Sequence, residues 1–515
     1  MVCCKKRKQC CCLRLKTTLI LVSFLGVCLI TLGIVLAPIV DKIFQDQIDK
    51  NLILHPDSPT FDAWRQATIP IHANYYFFDV LNVEEVKQGK KPFVEQRGPY
   101  SYIAHTKKIN ITWDNENGTV TYDEKSWYVF NPNLSCSTCD PFIDKVTTVN
   151  IPLVAMAEML KTYPDYLHWK HWLTLLLKYS EPLFITHKVH DLLWGYKDPL
   201  LDELQRFRDE HPLLKPFIPK IDSTVLLQPN NTFQGLTTIY TGAKDIHLVE
   251  AWKRWKGKET FGLWLTKFAN MINGTDGRQF APQVTKTDTI YFVVCQLCRS
   301  LYVTYDHQRQ IQDIDVYRFV IPPKLFLNGT ENPDNAAFYP QGFLPTGILD
   351  PRRCQGGKGN STATVFISAP HFYLGDPSLV DSVIGLKPNK EKHELLFDIE
   401  PHLGVPISNY IRLQVNVFIE PIQDVIETSG IPKVYMPMMW FEEHGELDSD
   451  TTALFWKLLM TMEIIHYVEI ALICIGGLLL LTVIVIVYRV KKRKKRLSCC
   501  CYITEEQQPL VHNVN

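Results

Sequence analysis

Thr17–Val40 reads TTLILVSFLGVCLITLGIVLAPIV, a run without a single charge. As a helix rising 1.5 Å per residue it is long enough to cross the ~30 Å hydrocarbon core of a bilayer. It is too long for the apolar part of a signal peptide, and no small-residue cleavage site follows it. A second run, residues 468–488, has ALICIGGLLLLTVIVIV at its centre and meets the same test. Lys5, Lys6, Arg7, Lys8, Arg14 and Lys16 precede the first run, and Arg489, Lys491, Lys492, Arg493, Lys494, Lys495 and Arg496 follow the second. The positive-inside bias therefore puts both tails, residues 1–16 and 489–515, in the cytoplasm. Residues 41–467 form one large lumenal or extracellular domain between two transmembrane helices.

Charge and modification signals divide along the same lines. The chain is formally neutral, but six positive charges before the first span and a net five after the second leave eleven negative charges between them. Such a domain has no general attraction for polyanions, so nucleic acid is not an expected partner. Beside a membrane, the basic tail reads as a stop-transfer signal and an anionic-lipid contact. Cys3, Cys4, Cys10, Cys11, Cys12, Cys499, Cys500 and Cys501 flank the spans on the cytoplasmic side and are candidates for S-palmitoylation. Cys28 and Cys474 lie within the spans as small apolar fillers. Cys136, Cys139, Cys295, Cys298 and Cys354 fall in the oxidising compartment, where disulfides are expected; five is odd, so one is left over. All seven N-x-S/T sequons, at Asn110, Asn117, Asn133, Asn230, Asn273, Asn328 and Asn360, also lie between the spans.

Within that domain two periods alternate. Pro152–Tyr196 is rich in Leu, Trp, Tyr and His, with Leu153, Met156, Met159 and Leu160, then Leu167, Leu173, Leu176 and Leu177, at helical spacing. Lysines and histidines interrupt it, so it is a helical bundle of the soluble domain and not a span, and Pro164 splits it. Asn117-Gly118 between Ile111-Thr112-Trp113 and Val120-Thr121-Tyr122 predicts a hairpin. Residues 289–294, 301–305, 316–321 and 364–368 predict strands. In Ile411–Ile419 the apolar residues Ile411, Leu413, Val415, Val417 and Ile419 alternate with Arg412, Gln414 and Asn416. Strands before and after a helical insert indicate an α+β membrane protein whose β-rich domain carries its helices at one end.

Motifs for chemistry are sparse. G-x-S-x-G, H-E-x-x-H, P-loop and G-x-G-x-x-G patterns do not occur, and no constellation argues for an enzyme or a cofactor. Cys136/Cys139 and Cys295/Cys298 are C-x-x-C pairs, but their separation and oxidising side favour disulfides over zinc. His168-x-x-His171 and His187-x-x-His190 each read as two imidazoles on one helix face, more often titrating surface groups than ligands.

Six segments occur in an order that resembles the class B scavenger receptor family: Tyr75-Tyr-Phe-Phe-Asp-Val, Gly98-Pro-Tyr-Ser-Tyr, Leu193-Trp-Gly-Tyr-Lys-Asp-Pro, Asn270-Met-Ile-Asn-Gly-Thr-Asp-Gly, Cys298-Arg-Ser and Pro370-His-Phe. Phe184-Ile-Thr-His187 leading into Leu192-Leu-Trp-Gly-Tyr-Lys-Asp is most similar to the family's lysosomal member. Glu506, Leu510 and Val511 resemble an acidic dileucine sorting signal, with Val511 in place of the usual Leu or Ile. The resemblance implies an antiparallel barrel crossed by a lipid tunnel and capped by an apical helix bundle, residues 152–196, that binds ligand. It implies membrane and lipid partners (cholesterol, fatty acids, phospholipids) and, in a lysosomal or late-endosomal setting, a lumenal hydrolase. The alternative is a plasma-membrane receptor for lipoproteins and fatty acids. Either setting leaves room for a homo-oligomer.

Residue by residue, the resemblance implies a Cys298–Cys354 disulfide. A second family bridge falls on Ala269 and Ala337, lost together, and a third involves Tyr339. Cys136, Cys139 and Cys295 match no family pair, which leaves a local Cys136–Cys139 bond open. Lys178 stands at the gapless position of a lipid-contacting lysine. His168 and His171 stand near that of an apical histidine tied to pH-dependent ligand binding, and Trp172, which widens the apolar face of the same helix, is a further ligand-binding candidate.

Overall fold

The computed structural model describes residues 2–67, 70–162, 174–212, 215, 220, 222–339, 344–354, 365–422, 425–446 and 449–503. It divides into two units, residues 1–50 with 450–515 and residues 51–449. Four helices of more than ten residues are described: α1 Val2–Leu52, α2 Ile151–Thr162, α3 Pro199–Glu210 and α4 Ser449–Ile503.

The first unit is α1 against α4. Leu15–Leu52 and Ile464–Arg493 within them are long and apolar enough to cross a membrane, with mean hydropathies of 2.9 and 3.2. Glycines bring the two backbones into contact: a Cβ on Gly476 would lie 2.6 Å from the Gly26 carbonyl oxygen. Close approach at small residues is how helices pair where lipid is the solvent. Ile20, Leu21, Phe24, Leu478 and Ile484 stay exposed on the pair, as lipid-facing residues should.

The second unit is built on one antiparallel sheet. Its path comprises β1 Ile71–Val80, β2 Val94–Asp114, β3 Thr119–Phe130, β4 Thr237–Tyr240, β5 Trp252–Trp255, β6 Thr289–Val294, β7 Arg299–Ile311, β8 Ile314–Val320, β9 Leu396–Glu400, β10 Val405–Ile419 and β11 Val434–Glu446. The spatial order is β5-β4-β3-β2-β1-β11-β10-β9-β8-β7-β6. The chain thus meanders outward, and its last strand returns to pair with its first, Tyr75 opposite Phe441. The two edges, β5 and β6, are joined through Gly274-Thr275: Trp252 N donates to the Gly274 carbonyl and Val293 N to the Thr275 carbonyl, both at 2.8 Å. The barrel is closed there, so its edges are not left as templates for aggregation. Gly274 has φ +94°, and a Cβ on it would sit 2.0 Å from the Tyr291 carbonyl oxygen. In β2, Gly98 (φ +124°) occupies a bulge opposite Tyr75–Phe77, where a Cβ would lie 2.6 Å from the Tyr75 carbonyl oxygen.

Strand alternation sorts side chains into two cores. Tyr75 and Phe77 face the lumen, whereas Phe78 and Val80 pack in an outer layer with Met436, Met438 and Trp440. The predicted strands and the Asn117-Gly118 hairpin form, with Trp113 opposite Val120. The five apolar residues of Ile411–Ile419 do not share one core, contrary to the expectation from alternation alone. A register shift lies between Val415 and Asn416, beside Pro437, which has no N–H to give the ladder. Leu413 and Val415 face the lumen, and Val417 and Ile419 join the outer layer.

The segment read as a helical bundle is only partly helical. After α2 and the turn Leu177–Tyr179, Phe184–Lys188 is a strand paired with Lys145–Val149, followed by the short helix Val189–Trp194. His187 and His190 therefore do not share a helix face. The β-branched and aromatic residues Phe184, Ile185 and Thr186 find a ladder partner that helical periodicity could not reveal. Asn150 starts α2, its Oδ1 accepting from Leu153 N at 3.2 Å, and its Nδ2 donates to the Glu181 and Pro182 carbonyls. Met156, Ala157 and Leu160 of α2 pack with Leu176, with Leu200 and Leu204 of α3 and with Ile422 and Val425, forming the core of the helical layer.

Candidate functional site

The barrel lumen gathers a cluster of aromatic and ionisable side chains. Tyr75 on β1, Tyr102 on β2, Tyr128 on β3 and Phe441 on β11 point inward, and Trp194 enters among them from the short helix above. Its ring lies 5.2 Å from Tyr128, 5.0 Å from Tyr102 and 6.0 Å from Tyr75. Trp194 Nε1 donates to Tyr102 Oη at 3.3 Å, and Gln228 Nε2 donates to Tyr128 Oη at 2.8 Å. Burial pushes the Tyr75 phenol well above its ordinary range, so it stays neutral. The Trp-Gly-Tyr motif is thus an aromatic stopper in the lumen.

Below the stopper is a cavity of about 120 Å³ bordered by Tyr122, Glu124, Asp276, Arg278, Phe441 and Glu443. Arg278 grips Glu124 with two hydrogen bonds, Nη1 to Oε2 at 2.9 Å and Nη2 to Oε1 at 2.8 Å. Lys108, 2% exposed, stands 3.2 Å from Glu124, donates to the Trp64 carbonyl at 2.9 Å and lies over the rings of Trp64 and Tyr122. Burial opposes ionisation of Glu124, but Arg278 and then Lys108 overcome it and hold the carboxyl at about 2. Glu250 behaves oppositely: burial, and then the charge of Asp276, push it up to about 7. Burial also raises Glu443, against the pull of Arg278. The lumen therefore holds a permanent ion cluster beside two carboxyls that take up protons more readily than free ones.

This arrangement predicts a pH dependence. Between about pH 4.5 and 7 native Glu250 binds a proton that the unfolded chain does not, so its contribution to stability is full at the acid end and is lost as pH rises. Glu250→Gln should raise the melting temperature at pH 7.5, by the equivalent of roughly 2 kcal/mol, and leave it nearly unchanged at pH 5. Thermal melts of both proteins across that range check it; parallel curves would refute the assignment.

The residues singled out from sequence are distributed differently. Lys178 is exposed on its turn with Nζ 4.8 Å from the Tyr179 ring, and it lines neither the lumenal cavity nor the cleft described below. His168, His171 and Trp172 lie outside the described residues, as do Asn360, Glu506, Leu510 and Val511. Asn110, Asn117, Asn133 and Asn273 are exposed, and Asn230 and Asn328 are half-buried. Cys298 and Cys354 are bonded, and so are Cys136 and Cys139. Ala269, Ala337 and Tyr339 are buried in one cluster with Cys298, so apolar packing occupies the positions without bridges. Cys295 keeps a free thiol, raised to about 12 by burial, on the wall of the lumenal cavity.

The sequence model of the CD36 family matches residues 24–487. The chain belongs to the CD36 family. Pig (Sus scrofa) scavenger receptor class B member 1 is 34% identical over 461 residues, 88% of this chain and 86% of that one. Rat (Rattus norvegicus) lysosome membrane protein 2 is 32% identical over 446 residues, 86% of this chain and 89% of that one, and the human (Homo sapiens) protein is 31% identical over the same length. Similarity to this CD36-family member is thus shared almost evenly between a scavenger receptor and a lysosomal membrane protein.

Two of the family-like segments acquire physical roles in the lumen. Asn270–Gly277 closes the barrel and Leu193–Pro199 carries the stopper. The ion cluster itself was not anticipated. Arg278 directly follows a recognised segment, but nothing in the sequence marks Lys108 and Glu124 as partners.

Proposed function

We propose that this CD36-family protein is a receptor of the lysosomal or late-endosomal membrane that binds a lumenal protein, a hydrolase, through its apical helical layer and moves cholesterol or another lipid through the barrel. The observation that carries the reading is the lumen. Aromatic and aliphatic side chains line it from Trp194 to the cavity at Glu124, and Phe441 borders both regions. A cavity of about 120 Å³ is far smaller than a drug-sized ligand site of roughly 300–1,000 Å³, so lipid passage requires Trp194 to swing out of its cage. The cysteines at the cytoplasmic ends of the spans would carry acyl chains that hold those ends to the bilayer.

Imaging of the wild type against a Leu510→Ala/Val511→Ala variant tests the location. Wild type in lysosomes and the variant at the surface is the expected result; steady residence of the wild type at the plasma membrane overturns it. The second reading, a cell-surface receptor for lipoproteins and fatty acids, is favoured by the similarity to scavenger receptor class B member 1. Under it, cells expressing the protein take up labelled lipoprotein, and Lys178→Ala lowers the uptake; absence of uptake removes it.

A further inference from the structure

A second cavity, of about 560 Å³, lies between the start of β2 and the segment Gly385–His393. Its floor is a stacked histidine pair, His371 on His393, with ring centres 4.5 Å apart and planes at 13°. Hydrogen bonds set both tautomers. His371 Nδ1 accepts from Lys387 N at 3.1 Å while its Nε2 faces Gln96 Oε1 at 2.7 Å. Trp440 Nε1 donates to the same Gln96 oxygen at 2.9 Å. His393 Nδ1 accepts from Asn389 N at 3.0 Å, so the proton of the neutral ring sits on Nε2. Burial, then the neighbouring His371 and Arg412, hold His393 down at about 3, which keeps the ring neutral.

His393 is 4% exposed and lines the cavity, and among the described residues its Nε2–H has no acceptor. Lys387 and Lys392 line the same cavity, and neither forms an ion pair among the described residues. Glu95, the carboxylate in the wall, lies 3.5 Å from Arg97, which Asp79 holds more closely at 2.8 Å. Buried Arg412 lies behind, its charge met by Glu442 at 2.7 Å while it donates to the Glu391 and Glu394 carbonyls, so the positive charge facing the cavity is that of the two lysines. The lip is apolar: Phe93 and Ile384, 42% and 52% exposed, are held side by side by a backbone bridge. Two uncompensated ammonium groups and a ring N–H face a space whose rim carries exposed aromatic and aliphatic surface. In a domain that is acidic as a whole, this is a complement for an anion attached to an apolar chain.

We propose that this cleft, outside the lumen, binds a single-chain anionic amphiphile, its head between Lys387, Lys392 and His393 Nε2 and its chain over Phe93 and Ile384. The head chemistry, carboxylate or phosphate, is shared by free fatty acids and by phosphate-ended single-chain lipids. The full chain in phosphatidylcholine nanodiscs, labelled with a diazirine analogue of decanoate and mapped by peptide mass spectrometry, provides the test. Labelling is expected on the peptides containing Phe93 and Ile384, displaced by decanoate or decyl phosphate, the stronger competitor identifying the head. Lys387→Ala/Lys392→Ala should weaken this labelling at least about tenfold with an unchanged melting temperature, because both lysines lack partners to lose. Displacement by decanol as strong as by decanoate, or labelling unaffected by the lysine substitutions, overturns the proposal. Labelling confined to lumenal residues overturns it as well.

Discussion

Gly274→Ala is expected to open the barrel at its seam. At φ +94° an alanine is strained, and its Cβ would fall 2.0 Å from the Tyr291 carbonyl oxygen, a backbone atom that cannot step aside. Relief requires the Gly274-Thr275 link to move away, which breaks the bonds from Trp252 N and Val293 N that join β5 to β6. The expected cost is about 4 kcal/mol or more, in the range reserved for strain at a special backbone position. In hydrogen exchange, the amides of β5 and β6 should lose protection by about a thousandfold, while the paired centres of β1 and β11 lose less. Gly257→Ala is the control. Gly257 also has positive φ, +76°, but a Cβ there meets nothing within 4 Å, so the effect should be near 1 kcal/mol. Equal exchange in wild type and Gly274→Ala would show that the link does not hold the edges together.

Glu124→Gln should destabilise the same barrel by a different route. Removing the carboxylate leaves Lys108, 2% exposed, and Arg278 as two cations facing one another without the charge that brought them together. Loss of one member of a buried pair costs about 3–5 kcal/mol; the Arg278 side chain retains 30% exposure, so the lower end, about 3 kcal/mol, applies. For a unit of this size that is a fall of about 4 °C in melting temperature. Glu124→Met combined with Arg278→Met should lose less than the sum of the single changes, because no unpaired arginine remains. A Glu124→Gln protein melting within a degree of wild type would mean that solvent already screens the cluster.

The functional consequence of that cluster concerns protons. Glu124 remains ionised at any physiological pH, so Lys108 and Arg278 are always compensated. Burial raises Glu250 to about 7 and raises Glu443 as well, so both take up protons more readily than ordinary carboxyls. The outer histidine pair works in the opposite sense. His371 is depressed to about 4 and His393 to about 3, chiefly by burial, so unfolded histidines bind protons that the native ones refuse. Their contribution is complete above about pH 6.5 and is lost as pH falls toward those values. Lumen and outer layer therefore pull the acid stability of the domain in opposite directions.

Much of this protein could be read from local pattern. Hydropathy over twenty or more residues marks a span without knowledge of what the helix touches, and α1 and α4 contain both apolar runs. Local pattern found the strands at 289–294, 301–305, 316–321 and 365–368 and the Ile411–Ile419 run, whereas Leu396–Glu400, buried on both faces, offered no alternation to read. Ordered short segments pointed to the family. Helical spacing misled between Phe184 and Lys188, where the partner strand lies some forty residues earlier and backbone pairing outweighs a weak helical period. The histidines near Trp172 carried a functional expectation that rests on likeness alone.

By itself the sequence determined the two apolar spans, the charge that flanks them and the strand-and-turn rhythm of the domain between. The lumen was decided by tertiary structure, and Asn110 shows why. Near the hairpin, β2 and β3 pair Thr112 with Thr121; a bulge at Asn110, φ +54°, then shifts the register so that Lys108 faces Glu124. Without that extra residue the same ladder would set Lys108 opposite Lys125. One residue of slip exchanges an ion pair for a repulsion and reverses which faces are buried. No periodicity carries that information, because register is settled by the bulges and by closure of the barrel over its own contents.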